Sequence, residues 1–448
     1  MRLFKTKLLG LSILISSVSF AQLPSKVLVG YWENWGNLRL KDVDDRYNVL
    51  CLAFLEADKT YPATPHDNKV SDLEFTPTNK TTLKSDIITV QSEGKKVLIS
   101  IGGGNGSFKL NNNNDKITFV SKVKDFINEY GVDGIDIDLE QPTYICTSGK
   151  QSLNAPENHI QYLIDACKEL LSWYKNTYDK KMILTTAPEV KYTVGGTSPW
   201  DQCNGALLPF IEVLKDDIDL LMIQLYNSGD IYSKDGSSTG VTYKENTNDF
   251  VIVAIESAIE GFKLPNQLKT SGTYSGLTEE KVVVGLTSCA SDQAVKTNSE
   301  IISIMNYLIG SGPKPGTYSL ENSYPNLRGL MTWSINTDAR MSTANSCNPS
   351  VAYEFAQAFE DVFGIIDNST EPVNNTQSLA IYPNPTTERL TVNTGNSIGK
   401  QFTLIDLNGK IVMTFKATKK LTTISLSSYS RGIYTLKSEN NFTKVVIK

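Results

Sequence analysis

The sequence predicts an α/β protein: a closed (β/α)8 barrel of the TIM-barrel class, followed by a small all-β sandwich-like domain. Three observations predict it. Short β-rich apolar runs alternate with helix-patterned stretches eight times across about 310 residues, from Lys26 to Asp338, and eight such repeats point to a closed parallel barrel rather than an open sheet. The composition then turns polar from Asp367 to Ser378. Beyond that stretch the apolar residues alternate with period 2, broken by turn signals. A chain of 448 residues suits one large barrel plus a small module.

Taken in order, Arg2, Lys5 and Lys7 precede a short apolar run, Leu8 to Val18, and a small-x-small site, Ser19-Phe20-Ala21. This reads as a signal peptide over 1–21. The run is shorter than the ~20 residues that a membrane anchor needs, and no later stretch is long and apolar enough to span. The barrel domain is expected over 22–365. Its strands are expected at Val27–Tyr31, Asn48–Glu56, Lys96–Ile101, Val132–Glu140, Met182–Pro188, Ile218–Asn227, Val282–Ser288 and Leu327–Ile335. Helical periodicity marks Lys116–Tyr130, with apolar positions Ile117, Val120, Val123, Phe126 and Ile127, and also Asn158–Lys175, Ser299–Leu308 and a closing helix Val351–Phe363. A linker is expected at 366–378. In the last domain, 379–448, strands are expected at Leu390–Val392, Phe402–Asp406, Ile411–Phe415, Ile433–Lys437 and Lys444–Ile447, with a hairpin turn at Asp406-Leu407-Asn408-Gly409-Lys410.

Composition narrows the function. Hydrophobic residues make up 40% and charged residues 20%, which is globular. The net charge of −5 and the lack of a basic patch argue against nucleic acid as a partner. Only two histidines occur, His66 and His159, so a His-based zinc site or a Ser-His-Asp triad starts poorly supplied. Of six cysteines, Cys51 and Cys167 fall in buried patterns. Cys146 with Cys203, and Cys289 with Cys347, are plausible pairs in an exported chain, although spacing does not fix connectivity. No CxxC spacing suggests structural zinc.

The fourth strand carries the strongest signal: Asp133-Gly134-Ile135-Asp136-Ile137-Asp138-Leu139-Glu140. Side chains alternate along a strand, so Asp136, Asp138 and Glu140 share one face, spaced ~6.6 Å apart, and Ile135, Ile137 and Leu139 share the other. In a barrel the apolar face packs on helices and the acids point inward. Three like charges in a partly dry interior cannot all ionise cheaply, so at least one holds a proton. Glu140, last in line at the C-terminal mouth, is placed to be a general acid of raised pKa. The rival reading of the row is a hard-cation site, which more often draws its ligands from loops.

This stretch resembles the DxxDxDxE signature of glycoside hydrolase family 18, the chitinases, complete at Asp133, Asp136, Asp138 and Glu140. Ser100-Ile101-Gly102-Gly103 is similar to the family's SxGG on strand 3. Gln224-Leu225-Tyr226-Asn227 resembles the strand-6 motif of its plant-type, hevamine-like branch. Met331-Thr332-Trp333-Ser334 resembles the strand-8 motif, and Tyr31-Trp32 fits strand 1. Many bacterial members carry Tyr-Asp on strand 6 where this chain has Tyr226-Asn227, which leaves the role of Asn227 open.

The resemblance implies substrate-assisted hydrolysis of β-1,4-linked N-acetylglucosamine polymers with retention. The substrate's acetamide oxygen attacks the anomeric carbon and Glu140 protonates the leaving oxygen. Asp138 orients the acetamide, Asp136 hydrogen-bonds Asp138, and Tyr226 donates to the acetamide. Gln224 shares the inward parity of Tyr226. Trp333 would form the sugar floor, with Tyr31 and Phe54 lining the same pocket. Ser100, Gly102 and Gly103 read as structural, the glycines letting the strand-3 turn pass close to the carboxylate strand. Among the other tryptophans, Trp173 reads as core and Trp200 as a candidate subsite. No metal or organic cofactor is implied. About 40 residues separate strands 7 and 8, too few for the inserted domain of some family members, so an open groove and endo-type cleavage are expected.

The last 70 or so residues resemble the type A sorting domain of the type IX secretion system, through Ile381-Tyr382-Pro383-Asn384-Pro385, Asp406–Lys410, Arg431-Gly432-Ile433-Tyr434 and Lys444-Val445-Val446-Ile447-Lys448. The implied partners are chitin or chitooligosaccharides and that secretion machinery, and the implied location is extracellular or cell-surface. A carbohydrate-binding module is the rival reading, but such modules usually display tryptophans and this segment has none. For the barrel, the rivals are an endo-β-N-acetylglucosaminidase acting on N-glycans, which would share the same acids, and a catalytically silent lectin, which typically lacks the acid.

Overall fold

The structure, a computed structural model, describes residues 23–448 apart from 58–67, 142–144, 147–148, 289–295, 341–351, 365–379, 383, 394–398, 407–409, 420 and 439–440. The expected signal peptide, the linker, Cys289 and Cys347 lie outside the described residues. The chain divides into two compact units, Met1–Thr370 and Glu371–Lys448.

The first unit is a closed barrel of eight parallel strands: β1 (Val27–Glu33), β2 (Val49–Leu55), β3 (Lys96–Gly102), β4 (Gly134–Leu139), β5 (Ile183–Thr186), β6 (Leu220–Gln224), β7 (Val282–Thr287) and β8 (Gly329–Trp333). They neighbour one another in chain order, and β1 pairs with β8 to close the ring, Val27 opposite Gly329. All eight apolar runs therefore form strands. Apart from the inward acids of β4 and a few inward polar residues near the mouth, the runs are apolar on both faces because both are covered. Val27, Val29, Val49, Leu98, Ile183, Met222, Val283 and Met331 fill the interior. Ile135, Ile137 and Leu139 of β4 pack outward with the helices.

Among the described residues, the helices of six residues or more around it are α1 (Lys80–Ser92), α2 (Asn113–Tyr130), α3 (Asn158–Tyr178), α4 (Leu208–Val213), α5 (Asn248–Glu260), α6 (Asn298–Leu308) and α7 (Glu354–Phe363). The local code is plain at α2. The Asn112 side chain accepts from the N–H groups of Asn114 and Asp115, and Gly131, at φ 69°, closes the end. The core face of α2 is Phe119, Val120, Val123, Phe126 and Ile127. Ile117, expected on that face, is 54% exposed. It precedes the i, i+3, i+4 stripe that Val120, Val123, Phe126 and Ile127 define, and Phe119 takes the buried position instead. A capping box of Thr297 and Glu300 opens α6. Cys146 and Cys203 form a disulfide, while Cys51 and Cys167 are buried thiols.

The second unit has two antiparallel sheets. Strands β9 (Ala380–Tyr382), β10 (Arg389–Asn393) and β13 (Leu421–Ser425) form one; β12 (Ile411–Lys416), β11 (Gln401–Ile405), β14 (Gly432–Ser438) and β15 (Asn441–Ile447) form the other, in those orders. Leu390, Val392 and Ile424 of the first sheet share one core with Phe402, Leu404, Leu436 and Val445 of the second, as in a sandwich. Strands β11 and β12 pair antiparallel across the expected hairpin, whose residues 407–409 lie outside the described residues. Strands β9 and β13 were not expected. The Leu-Thr-Thr-Ile-Ser of β13 carries a strand signal in its β-branched residues, muted by its polarity.

Candidate active site

A cleft of about 320 Å³ opens at the C-terminal mouth of the barrel, where (β/α)8 barrels carry their chemistry. Every strand but β7 contributes to its wall, directly or through the first residues beyond it. Tyr31 and Trp35 come from β1, Phe54 and Glu56 from β2, and Gly104 and Asn105 from beyond β3. Asp138 and Glu140 come from β4, Glu189 from beyond β5, Gln224, Tyr226 and Asn227 from β6, and Trp333 from β8.

The carboxylate row lies as strand alternation requires, and its members meet different surroundings. Asp133, at the opposite end of β4, accepts from Val97 N–H and Gln91 Nε2, both at 2.9 Å. It ties β4 to β3 and to α1, far from the mouth. Asp136 is fully buried below the cleft. Its Oδ2 accepts from Tyr31 Oη and Ser100 Oγ and its Oδ1 from Thr185 Oγ1, each at 2.7 Å. Burial raises the Asp136 pKa, and these three hydrogen bonds pull it back.

Asp138 accepts from Gln224 Nε2 at 2.9 Å and lies within side-chain hydrogen-bonding reach of Glu140. Asp136 is held by hydroxyls from β1, β3 and β5, while Asp138 meets Gln224 and Glu140 at the mouth. Gln224 Nε2 also donates to the Ala187 carbonyl at 2.8 Å and lies 3.3 Å from Glu140 Oε1. With two N–H hydrogens for three acceptors, Gln224 holds Glu140 the most loosely of the three. Burial keeps Asp138 well above the usual carboxylate range, helped by Glu140, Asp136 and Glu189. Burial and the charge of Glu189 push Glu140 up to about 7, against hydrogen bonds from Gln224 and Asp138. The Asp138–Glu140 pair therefore titrates jointly, with a proton retained near neutrality.

The glycines act through space. Gly102 sits at φ 118°, and a Cβ there would lie 2.3 Å from the Asp138 carbonyl oxygen; a Cβ on Gly103, at φ 77°, would lie 2.9 Å from the Phe54 ring. Only glycine lets β3 pass this close to the acid strand and the aromatic wall. That wall is a cluster around Trp333. Phe54 stacks on it at 5.5 Å between centroids and 13° between planes, with Tyr31 at 5.8 Å and Trp35 at 6.3 Å. Trp32 points outward and donates from Nε1 to the Leu38 carbonyl, so it is core.

The structure thus gathers Glu140, Asp138, Gln224, Tyr226, Asn227, Trp333, Tyr31 and Phe54 at one cleft, supported by Asp136, Ser100, Gly102 and Gly103. Sequence reasoning missed Glu189, Glu56, Gly104 and Asn105 as lining residues and held Trp35 only a weaker stacking case. Parity held a signal for Glu189. Thr185 and Ala187 face inward, so Glu189 is the next inward position, one residue past the end of the predicted strand. Its carboxylate accepts the Gln141 backbone N–H, and burial raises its pKa.

The family model described as glycosyl hydrolases family 18 matches residues 27–301, and the one described as secretion system C-terminal sorting domain matches 380–448. Chitinase Chi52 of Paenibacillus xylanexedens is 35% identical over 328 residues, which is 70% of this chain and 59% of that protein. Chitinase ChiA of Flavobacterium johnsoniae is 34% identical over 364 residues, which is 76% of this chain and 22% of that protein. The chain thus spans about three fifths of the length of the one and about a fifth of the other. A solved family GH18 chitinase from Chromobacterium violaceum superposes with a TM-score of 0.57 at 27% identity, over 77% of this chain and 82% of that one.

Proposed function

The chain belongs to glycosyl hydrolase family 18 and ends in a secretion sorting domain, and from that premise we propose that it is an exported chitinase. It would cut β-1,4 bonds between N-acetylglucosamine units within the polymer, with retention. One observation carries the reading: a carboxylic acid with a pKa near 7 lies beside a second, neutral-leaning carboxyl and an amide, at the foot of an aromatic-walled cleft.

The chemistry follows from that arrangement. A retaining glycosidase with a carboxylate nucleophile holds its two carboxyls ~5–5.5 Å apart, across the scissile bond. Asp138 instead lies within hydrogen-bonding reach of Glu140, which suits a partner that orients the substrate's acetamide. The acetamide oxygen attacks the anomeric carbon as Glu140 Oε–H transfers its proton to the leaving oxygen. Asp138 holds the acetamide N–H and balances the charge of the oxazolinium intermediate, with Asp136 buried beneath it. Glu140, now a carboxylate, takes a proton from the incoming water, whose oxygen opens the ring and restores the starting configuration. Tyr226 and Gln224 face the acetamide, and Trp333 stacks under the sugar at the point of cleavage. Asn227 and Phe54 complete the walls of that subsite. Between β7 and β8 the described residues form α6 and an irregular return to Gly329, which suits an open groove and internal cleavage. Export proceeds through an N-terminal signal segment and the sorting domain, whose partner is the type IX machinery.

Digestion of colloidal chitin and chitohexaose by the parent and by Glu140→Gln tests this. Soluble oligomers of several lengths from the parent, and a loss of ~10²-fold or more in the variant, are the expected result. Cleavage of a high-mannose glycopeptide with no release from chitin would instead establish an N-glycan hydrolase. Binding without cleavage would remove the enzymatic reading.

A further inference from the structure

Among the described residues, four that are not glycine hold a positive φ: Gln141 at 71°, Asp179 at 53°, Asn227 at 54° and Tyr353 at 63°. Asp179 closes α3 and Tyr353 opens α7, so both mark helix ends. The other two each follow a cleft side chain, Asn227 after Tyr226 and Gln141 after Glu140. Asparagine visits the left-handed region readily; glutamine does not. A left-handed glutamine persists only where its surroundings impose it.

The surroundings of Gln141 do so from two sides. Its backbone N–H is donated to the Glu189 carboxylate, beyond β5. Its side-chain amide donates from Nε2 to the Gly104 carbonyl, beyond β3. One residue earlier, Glu140 N–H donates to Ser107 Oγ at 2.7 Å, and that hydroxyl donates to the Gly103 carbonyl at 3.1 Å. The chain leaving β4 is thus pinned to the turn after β3 on one side and to the loop after β5 on the other.

The Glu140 carboxyl rests beside the same turn: a Cβ on Gly104 would lie 3.4 Å from its Oε2. Gln141 itself is not among the residues that line the cleft. Its strained backbone therefore serves no contact of its own with a sugar. What it sets is the direction in which the preceding residue faces, and the place of the carboxylate that its N–H holds.

We propose that Gln141 is a positioning residue for the acid. Its left-handed backbone, tied to Gly104 and Glu189, aims the Glu140 carboxyl at the glycosidic oxygen and holds the Glu189 charge beside it. The inference rests on the reading of Glu140 as the general acid of a chitinase, and its test tells the two apart. Kinetics on chitohexaose and on dinitrophenyl chitobioside are measured for the parent, Gln141→Ala and Gln141→Gly, with the thermal midpoint of each. The sugar that leaves from chitohexaose needs a proton from the acid, whereas dinitrophenolate departs without one. Gln141→Ala removes the amide and keeps the backbone strained. Gln141→Gly removes the amide and adopts the left-handed region freely, so it keeps the fold where the alanine variant loses it. Misplacing a reacting group by ~1 Å costs on the order of 10²-fold. Gln141→Gly is therefore expected to lower kcat on chitohexaose by about ten-fold or more, with KM held within about two-fold. Its kcat/KM on the dinitrophenyl substrate, which reports departure of the leaving group alone, stays near that of the parent. Equal losses on both substrates, or a raised KM with kcat kept, overturn the positioning role and leave the chitinase reading standing. An unaltered kcat on chitohexaose in a folded Gln141→Gly overturns it as well. A parent inactive on both substrates removes the chitinase reading, and the positioning role falls with it.

Discussion

Glu189→Gln is the most informative single change at the cleft, because it removes a charge and keeps the shape. Glu140 rises from its usual 4.5 to about 7, with burial as the larger cause and the Glu189 carboxylate as the next. Each pH unit of displacement in that pKa corresponds to ~1.4 kcal/mol. The sign is fixed by the chemistry. Glu140 must be protonated to act as an acid, so kcat/KM holds below about pH 7 and falls as pH rises through it. Removing the neighbouring negative charge eases ionisation of Glu140 and moves that alkaline limb to lower pH. The other titratable groups around the pair, Asp138 and Asp136 on β4, Glu56 beyond β2 and Lys191 and Tyr192 beyond β5, stay as they are, so the displacement reports Glu189 alone. The assay is kcat/KM on chitohexaose from pH 4 to 9, with the thermal midpoint of each protein recorded to exclude a folding defect. A limb that stays in place, or moves to higher pH, in a stably folded Glu189→Gln would refute the electrostatic role of Glu189. A uniform fall in kcat without displacement would reduce Glu189 to the hydrogen bond it accepts from Gln141.

Two further outcomes follow from packing. Gly102→Ala forces a Cβ to within 2.3 Å of the Asp138 carbonyl oxygen at a φ of 118°, so the thermal midpoint should fall by the equivalent of ~2 kcal/mol or more, with activity lost by ~10-fold or more; a soluble, fully active variant would contradict the close approach of β3 to β4. Replacing both Cys146 and Cys203 by serine opens a 57-residue separation and should cost about 4 kcal/mol by the chain-entropy relation, read in denaturant melts, and no loss of stability would show that the bridge closes a segment already ordered.

The barrel was legible because its strands are apolar runs that recur eight times. The alternation of β4 was enough to put Asp136, Asp138 and Glu140 on one side, and the same parity brought Gln224 inward. What was not legible is what requires two strands at once. The partners of Asp136 are 105, 36 and 49 residues away in sequence, on β1, β3 and β5, and spacing within one strand says nothing about cross-barrel register. Hence the three hydroxyls that hold Asp136 could not be read from the sequence. Glu189 was overlooked because the apolar run ends at Pro188, although the facing pattern continues one residue into the loop. Ile117 fits a helical period counted from the wrong end, and only the position of α2 on the barrel shows that its first turn overhangs solvent.

The closure of the ring has a consequence for when this molecule can act. Val27 pairs with Gly329 across some 300 residues, so the last seam forms only after nearly the whole first unit has been made, and such distant pairings are reached late in folding. Until then β1 and β8 are open edges, prone to pairing with other chains, and the acids, the amide and the floor tryptophan belong to separate pieces of chain. With its cleft walled from seven strands, a half-made or unfolded molecule has no partial activity to release. The working enzyme comes into being in one step, at the moment the first strand meets the last.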